Sequence, residues 1–254
     1  MNEDPYGDPA LYDLEYANHS EDIRYYTELA AQTDGPVLEL GCGTGRLTLP
    51  IARTGSPIDG VDLSEGMLAG LRTKLTAEST EVQGRVRVWR ADFRQAPDGI
   101  LDAYDQILWP FNAIHHCAGP EDVVQTLTWI RKHLGPNGRV ALDAYLPDRE
   151  LYGRDPKRTY EHRIFRDPRD GQPLHTWEQG WWDEETRTHH VVYTYKHRDQ
   201  TEEKCHLRLR MFEQPELAEL IRSAGYSIIH SASDFEGSPL RATSLKWVLQ
   251  LQPR

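Results

Sequence analysis

The sequence predicts an α/β fold: a doubly wound, mostly parallel seven-stranded sheet of Rossmann-like type with an antiparallel β-rich insert. Three observations predict it. Between residues 36 and 147, short apolar runs alternate with helical patterns; patterns of about ten to fifteen residues between strands require parallel crossover units. A glycine-rich turn, GCGTG at 41–45, follows the first apolar run directly. From 159 to 212 the helical period gives way to two-residue alternation between turn formers, before one more helix and two strands return.

In chain order, residues 11 to 31 carry Leu14, Ile23, Tyr26, Leu29 and Ala30 in a helical rhythm, which makes 1–34 a helical cap of one or two helices. PVLEL (36–40) reads as the first strand, GRLTLPIART (45–54) as a helix and PIDGVDL (57–63) as the second strand. SEGMLAGLRTKL (64–75) is a helix with Ser64 as N-cap and Glu65 in its first turn. VRVWRADF (86–93) and YDQILWP (104–110) are the third and fourth strands. The helix PEDVVQTLTWIRKHL (120–134) stops at Gly135 ahead of the turn GPNGR, and RVALDAYLP (139–147) is the fifth strand. The insert, 148–213, holds TYEHRIFRD, LHTWEQGWWD, THHVVYTYKHRD and EKCHLRLRMF, broken by DPRDGQP and DEET. The helix QPELAELIRSAG and strands near 226–233 and 243–251 complete the sheet, so 1–254 reads as one domain.

Composition narrows the function. With 38% hydrophobic and 27% charged residues the chain is globular. No window approaches the roughly 18 apolar residues of a membrane span, and the acidic N-terminus is unlike a secretory signal, which makes the cytoplasm the expected location and a membrane partner unexpected. Three cysteines without CxxC spacing encode neither a disulfide framework nor a zinc ribbon. A formal charge of −11 repels a phosphate backbone, so nucleic acid is not the expected partner.

The glycine turn discriminates between ligands. A dinucleotide fingerprint needs a glycine three positions after Gly43, where this chain has Arg46, and a P-loop needs a lysine that is absent. A pyrophosphate is therefore not the expected guest. Glu39, Gly41, Gly43 and Gly45 spell ExGxGxG, which resembles motif I of the class I S-adenosylmethionine-dependent methyltransferases, closest in style to small-molecule members such as glycine and amino-sugar N-methyltransferases. GVDLSEGML, ADF and YDQILWPFNAIHH resemble that family's later segments, in order. The resemblance covers roughly 36–147 plus the final helix and strands.

It implies S-adenosylmethionine as cofactor, with Gly41 and Gly43 giving backbone room, Asp62 accepting from the ribose hydroxyls, Leu63 and Met67 flanking the adenine, and Asp92 taking its amino group beside Phe93. Glu39 is placed at the loop, acting through water or holding the turn, and Pro110 in the transfer-site loop. A sulfonium and an ammonium without phosphate suit carboxylates of this kind.

On the acceptor side, His116 in FNAIHH is the first candidate catalytic residue, as general base or as a packed side chain; His115 faces elsewhere. Tyr12 and Tyr16 share a helix face; in related N-methyltransferases an N-terminal tyrosine caps the cofactor, which makes Tyr16 a catalytic and Tyr12 a cofactor-binding candidate, with amphipathic packing as the other account. Asn112 and Trp109 would shape the same wall. Trp177, Trp181, Trp182, Tyr193 and Tyr195 would cover a pocket or form a homodimer seam, and Arg208 or Arg210 would meet an anionic group or solvent. His189, His190, His197 and His206 lack metal-ligand spacing and read as facing solvent, so no metal is expected. The expected reaction is methyl transfer to N or O of a small molecule. RNA or protein methylation and a non-catalytic cofactor-binding regulator are the alternatives; strand four ends in WPFN rather than the [ND]PP[YF] of many nucleic-acid amino methylases.

Overall fold

The computed structural model describes residues 6, 8–101, 103–167 and 169–254; residues 1–5 and 7 of the expected cap, and Pro168 of the expected turn DPRDGQP, lie outside them. The chain runs α1 (Pro9–Glu15), α2 (Glu21–Ala31), β1 (Val37–Leu40), α3 (Thr48–Arg53), β2 (Ile58–Asp62), α4 (Glu65–Leu75), α5 (Thr80–Gln83), β3 (Val86–Arg90) and β4 (Tyr104–Trp109). A 3-10 turn (Ala113–His116), α6 (Pro120–Lys132), β5 (Leu134–Tyr145) and α7 (Arg149–Tyr152) follow. Then come β6 (Tyr160–Arg166), β7 (Pro173–Asp183), β8 (Thr188–Lys196), β9 (Glu202–Arg210), α8 (Gln214–Ser223), β10 (Tyr226–Ala232) and β11 (Lys246–Pro253).

Seven strands form one sheet in the order β10-β11-β5-β4-β1-β2-β3. Only β11 runs against its neighbours, as a hairpin partner of β10 laid along β5. The expected mostly parallel, seven-stranded architecture is thus the one observed. Strand alternation sends Leu38, Leu40, Ile107, Trp109, Val140 and Leu142 to the face covered by α6 and α8, and Val37, Leu108 and Ala141 to the face covered by α2, α3 and α4. Burial on both faces is why these strands read as continuous apolar runs. The four insert strands form a separate antiparallel meander, β6-β7-β8-β9, joined to α1 through Leu11, Leu174 and Tyr195.

Element boundaries differ from expectation where tertiary pairing outweighs local signals. The helix after β1 starts at Thr48 rather than residue 45, because Gly45 still has φ +84° and its hydrogen faces α4, where a Cβ would stand 2.9 Å from Leu71 Cγ. Gly45 thereby allows the close approach that a dinucleotide fold obtains from its third glycine. Strand β5 starts at Leu134, ahead of the expected turn, because Leu134 pairs with Tyr104. Strand β3 ends at Arg90, and Asp92 then turns the chain by accepting from Arg94 N at 3.0 Å. Ser64 caps α4 as expected, its hydroxyl accepting from Met67 N.

Candidate active site

The carboxyl ends of β1, β2, β3 and β4 open into one cavity of about 730 Å³, lined on its other side by α1 and the insert. Strand ends are where an open α/β sheet leaves its crevice. Gly41 and Gly43 line it with φ of +75° and +54°, and a Cβ on Gly43 would come no closer than 4.0 Å to Tyr12, so the turn keeps open space on the cavity side. Asp62, at the end of β2, accepts from Gly43 N and Ser64 N, both at 2.8 Å, which fixes its carboxylate against the turn. Leu63, Met67, Phe93 and Pro110 add apolar wall; Leu63 is 59% exposed and Met67 buried.

Asp92 also lines the cavity, but its carboxylate is grasped by Arg94, with Nη2 to Oδ2 at 2.6 Å, and Arg94 continues to Asp122 at 3.3 Å. The Arg94 side-chain hydrogen bonds hold the Asp92 carboxyl below its usual range. Of the ten expected cofactor residues, Glu39 alone is off the wall. It lies beneath the turn, 2% exposed, with Thr48 Oγ1 donating to it at 2.6 Å, and burial pushes its carboxyl up to about 8.

At the other end stand the expected acceptor-side residues. His116 closes the 3-10 turn with Nε2 2.9 Å from the Tyr6 hydroxyl, and burial pushes its imidazole down to about 4, so it is neutral at physiological pH. Tyr12 and Tyr16 project from α1 with ring centroids 4.8 Å apart, and Tyr16 meets Phe111 edge-on at 5.0 Å. Burial raises both phenols, so both keep their protons. Arg46 reaches over the Phe111 ring at 4.2 Å while its guanidinium chelates Asp22 at 2.6 and 2.7 Å, tying α2 to the glycine turn.

Asp143 was not foreseen. Phe111 and Asn112 are consecutive non-glycine residues with φ of 54° and 58°, and their amides donate to the two Asp143 oxygens at 2.8 and 3.1 Å. Tyr26 OH donates to the same carboxylate at 2.5 Å. A buried carboxylate thus holds a strained turn on the cavity wall. Its signal in the sequence was a lone acid inside the apolar strand VALDAY. Tyr6, His19, Glu15, His162 and Arg163 also line the cavity, unexpected from the sequence; they come from segments far apart in the chain.

Several expectations are corrected. Trp109 is fully buried, packs on Phe93 at 5.5 Å and does not reach the cavity, because its place in β4 faces the α6 side; Phe111 takes that wall. Trp177 and Trp181 do not cover the pocket, since the register pairs them with Thr194 and His190 on the face opposite Tyr193. Trp182 shares the inner face but stacks on Tyr152 at 4.4 Å. Arg208 is exposed, whereas Arg210 is buried and paired with Glu216 at 2.7 Å. His189 and His197 are buried rather than solvent-facing, the first against Tyr152 and the second on Asp167 at 2.5 Å. His115, expected to face elsewhere, is packed with Nδ1 2.8 Å from the Arg210 carbonyl and yet lines the same cavity as His116. Among the described residues no helix is long and apolar enough to cross a membrane.

Comparison with known proteins places this geometry. The family described as "Methyltransferase domain" matches residues 37–138, the stretch that supplies β1 to β4 and the glycine turn. A Bacillus subtilis (strain 168) protein, YqeM, a methyltransferase by name only, is 22% identical over 235 residues, spanning 89% of this chain and 87% of its own. The CcbJ methyltransferase of Streptomyces caelestis superimposes with a TM-score of 0.84 at 23% identity, covering 100% of this chain and 99% of its own. The glycopeptide N-methyltransferase MtfA in complex with S-adenosyl-L-methionine superimposes with a TM-score of 0.62 at 20% identity, covering 92% and 94%. At these identities the structural likeness speaks for the fold.

Proposed function

We propose that this chain, which carries a methyltransferase-domain match over residues 37–138 and the fold of S-adenosylmethionine-dependent methyltransferases, methylates an amine nitrogen of a small molecule held in the cavity. The observation that carries the reading is the cavity itself: about 730 Å³, it runs from the glycine turn to a wall built by α1 and the insert, within the ~300–1,000 Å³ of small-molecule sites. A chain of net charge −11 suits a nucleic acid poorly. The resemblance to a glycopeptide N-methyltransferase supports the choice of nitrogen.

The residues present fit the cofactor. Asp62 would accept from the ribose hydroxyls, Gly41 and Gly43 would leave room for the amino-acid portion, Leu63, Met67 and Phe93 would flank the adenine, and Asp92 would share its carboxylate between Arg94 and the adenine amino group. Pro110 continues that wall, and Glu39 would hold the turn from below through Thr48. Bound there, S-adenosylmethionine supplies a methyl carbon already activated by its sulfonium.

The protein then has to orient a lone pair and exclude water. Tyr12, Tyr16 and Phe111 provide an aromatic lining compatible with a cation. His116, neutral and engaged with Tyr6, would position these groups rather than act as a strong base. That favours nitrogen. An alcohol keeps its proton at neutral pH and needs a matched base, whereas burial among aromatic rings favours the neutral form of an amine, whose lone pair is then available. The test is transfer of a labelled methyl group to matched pairs of amines and alcohols on the same carbon skeletons. Labelling of amines alone is expected; labelling of the alcohol members alone would overturn the assignment.

A further inference from the structure

We propose that the acceptor carries a carboxylate and that Arg163 anchors it, an inference that rests on the small-molecule reading above. Arg163 stands in β6, half-buried, on the cavity wall. Its guanidinium donates through Nη1 to the backbone carbonyl of Glu15 at 3.0 Å, and among the described residues it pairs with no carboxylate. The other guanidinium groups at this cavity are accounted for differently: Arg94 is held by Asp92, Arg46 behind the wall is chelated by Asp22, and Arg90 is exposed with Nε on the Leu63 carbonyl.

The carboxylate of Glu15, on the same wall, makes its hydrogen bonds elsewhere and forms no ion pair with Arg163 among the described residues. Glu15 is 5% exposed, with His162 Nε2 at 2.8 Å from Oε1 and Tyr195 OH donating to Oε2 at 2.5 Å. Only the main-chain oxygen of Glu15 is offered to Arg163. That contact caps the C-terminal end of α1, which is favourable for a cation, yet it uses one of the five guanidinium hydrogens. Among the described residues Nε and Nη2 make no hydrogen bond, and Tyr193 and Leu207 line the same cavity.

A half-buried guanidinium without a direct ion pair among the described residues gains from an anionic ligand that pairs with its remaining donors. A guanidinium fork matches the two oxygens of a carboxylate in one plane. One guanidinium balances a monoanion; a phosphate dianion would bring a second charge into the same apolar wall. His19 lies on that wall too, its Nδ1 buried and without a hydrogen-bond partner among the described residues. Desolvation, aided by the Arg163 charge, lowers its imidazole's affinity for a proton, so it adds no second cation to the wall. With a neutral amine as the reacting group, the acceptor class is an amino acid or another molecule that carries both an amine and a carboxylate.

The experiment has two arms on the full chain with S-adenosylhomocysteine bound. In the first, phenylacetate, phenylacetamide and benzylphosphonate are titrated by ligand-observed NMR into wild type, Arg163→Gln and Arg163→Lys. Wild type should prefer phenylacetate over the amide by about 10- to 100-fold, the worth of a charge-assisted pair. Arg163→Gln should erase the preference, Arg163→Lys should keep part of it, and S-adenosylhomocysteine affinity should be unchanged in both variants, which reports an intact fold. Equal binding of acid and amide to wild type, a preference that survives Arg163→Gln, or tighter binding of the phosphonate each overturns the inference. In the second arm, labelled methyl transfer is compared between amino acids and their amides. Methylation of neutral amines without any gain from a carboxylate overturns the anchor and leaves the small-molecule function standing. Methylation of no amine at all removes that function, and the binding arm then decides the anchor by itself.

Discussion

Replacing Glu39 by Gln should flatten the pH dependence of folding stability. The carboxyl is buried beneath the glycine turn, and desolvation raises it from 4.5 in a free side chain to about 8. Below pH 4.5 it is protonated in folded and unfolded chains alike and contributes no difference. Between 4.5 and 8 the unfolded chain ionises while the folded chain holds its proton, so stability falls as pH rises, and above 8 the loss is complete. Each pH unit across which the two states differ by one proton costs about 1.4 kcal/mol, so the full window is worth about 4–5 kcal/mol and the interval from pH 5.5 to 7.5 about 2–3 kcal/mol. Glutamine has the same shape, stays neutral, and can still accept from Thr48 Oγ1, which now bonds Glu39 at 2.6 Å. Asp143, also raised by burial, to about 6, titrates in both proteins and cancels in the difference. Urea unfolding of wild type and Glu39→Gln at half-unit steps from pH 5 to 8.5 measures it. Wild type should lose about 2–3 kcal/mol relative to the variant between pH 5.5 and 7.5; parallel curves, or a wild type that gains stability with pH, would refute the buried neutral carboxyl.

Asp62→Ala removes the acceptor for Gly43 N and Ser64 N and the proposed ribose contact, and should weaken S-adenosylmethionine and S-adenosylhomocysteine by about 100-fold in calorimetry, since each charge-assisted bond is worth about 1.5–3 kcal/mol. Equal affinity in the variant would take Asp62 out of the donor site. Gly45→Ala puts a Cβ 2.9 Å from Leu71 Cγ at φ +84°, and should cost about 2 kcal/mol by strain and overpacking together; denaturation midpoints within experimental error of wild type would contradict the close approach of the turn to α4.

The strand-end side of the cavity was legible in the sequence because its information is local. Glycines at fixed offsets impose the turn, β1 to β4 are short apolar runs with crossovers between them, and the family match over 37–138 follows the same segment. Tyr12, Gly41, Gly43, Asp62, Leu63, Met67, Asp92, Phe93, Pro110, Tyr16 and His116 all reach one cavity because the ends of adjacent parallel strands, with the helix folded over them, converge on one edge. Period-two alternation carries one thing more: it puts Trp177 and Trp181 on the face opposite Tyr193 and Tyr195, once the strand boundaries are known.

The opposite wall was decided by tertiary structure. Tyr6 meets His116 across 110 residues, His162 meets Glu15 across 147, and Tyr195 meets Glu15 across 180. Spacing within a helix or strand specifies which face a side chain takes, and it does not specify which distant segment that face will meet. Arg163 illustrates the difference. In the sequence it is one charge in an alternating strand, no more notable than Arg208 or Arg210. Arg210 finds Glu216 six residues further on and Arg208 finds solvent, whereas only when the insert folds onto α1 does Arg163 come to lie on the cavity wall beside a glutamate whose carboxylate makes its hydrogen bonds elsewhere.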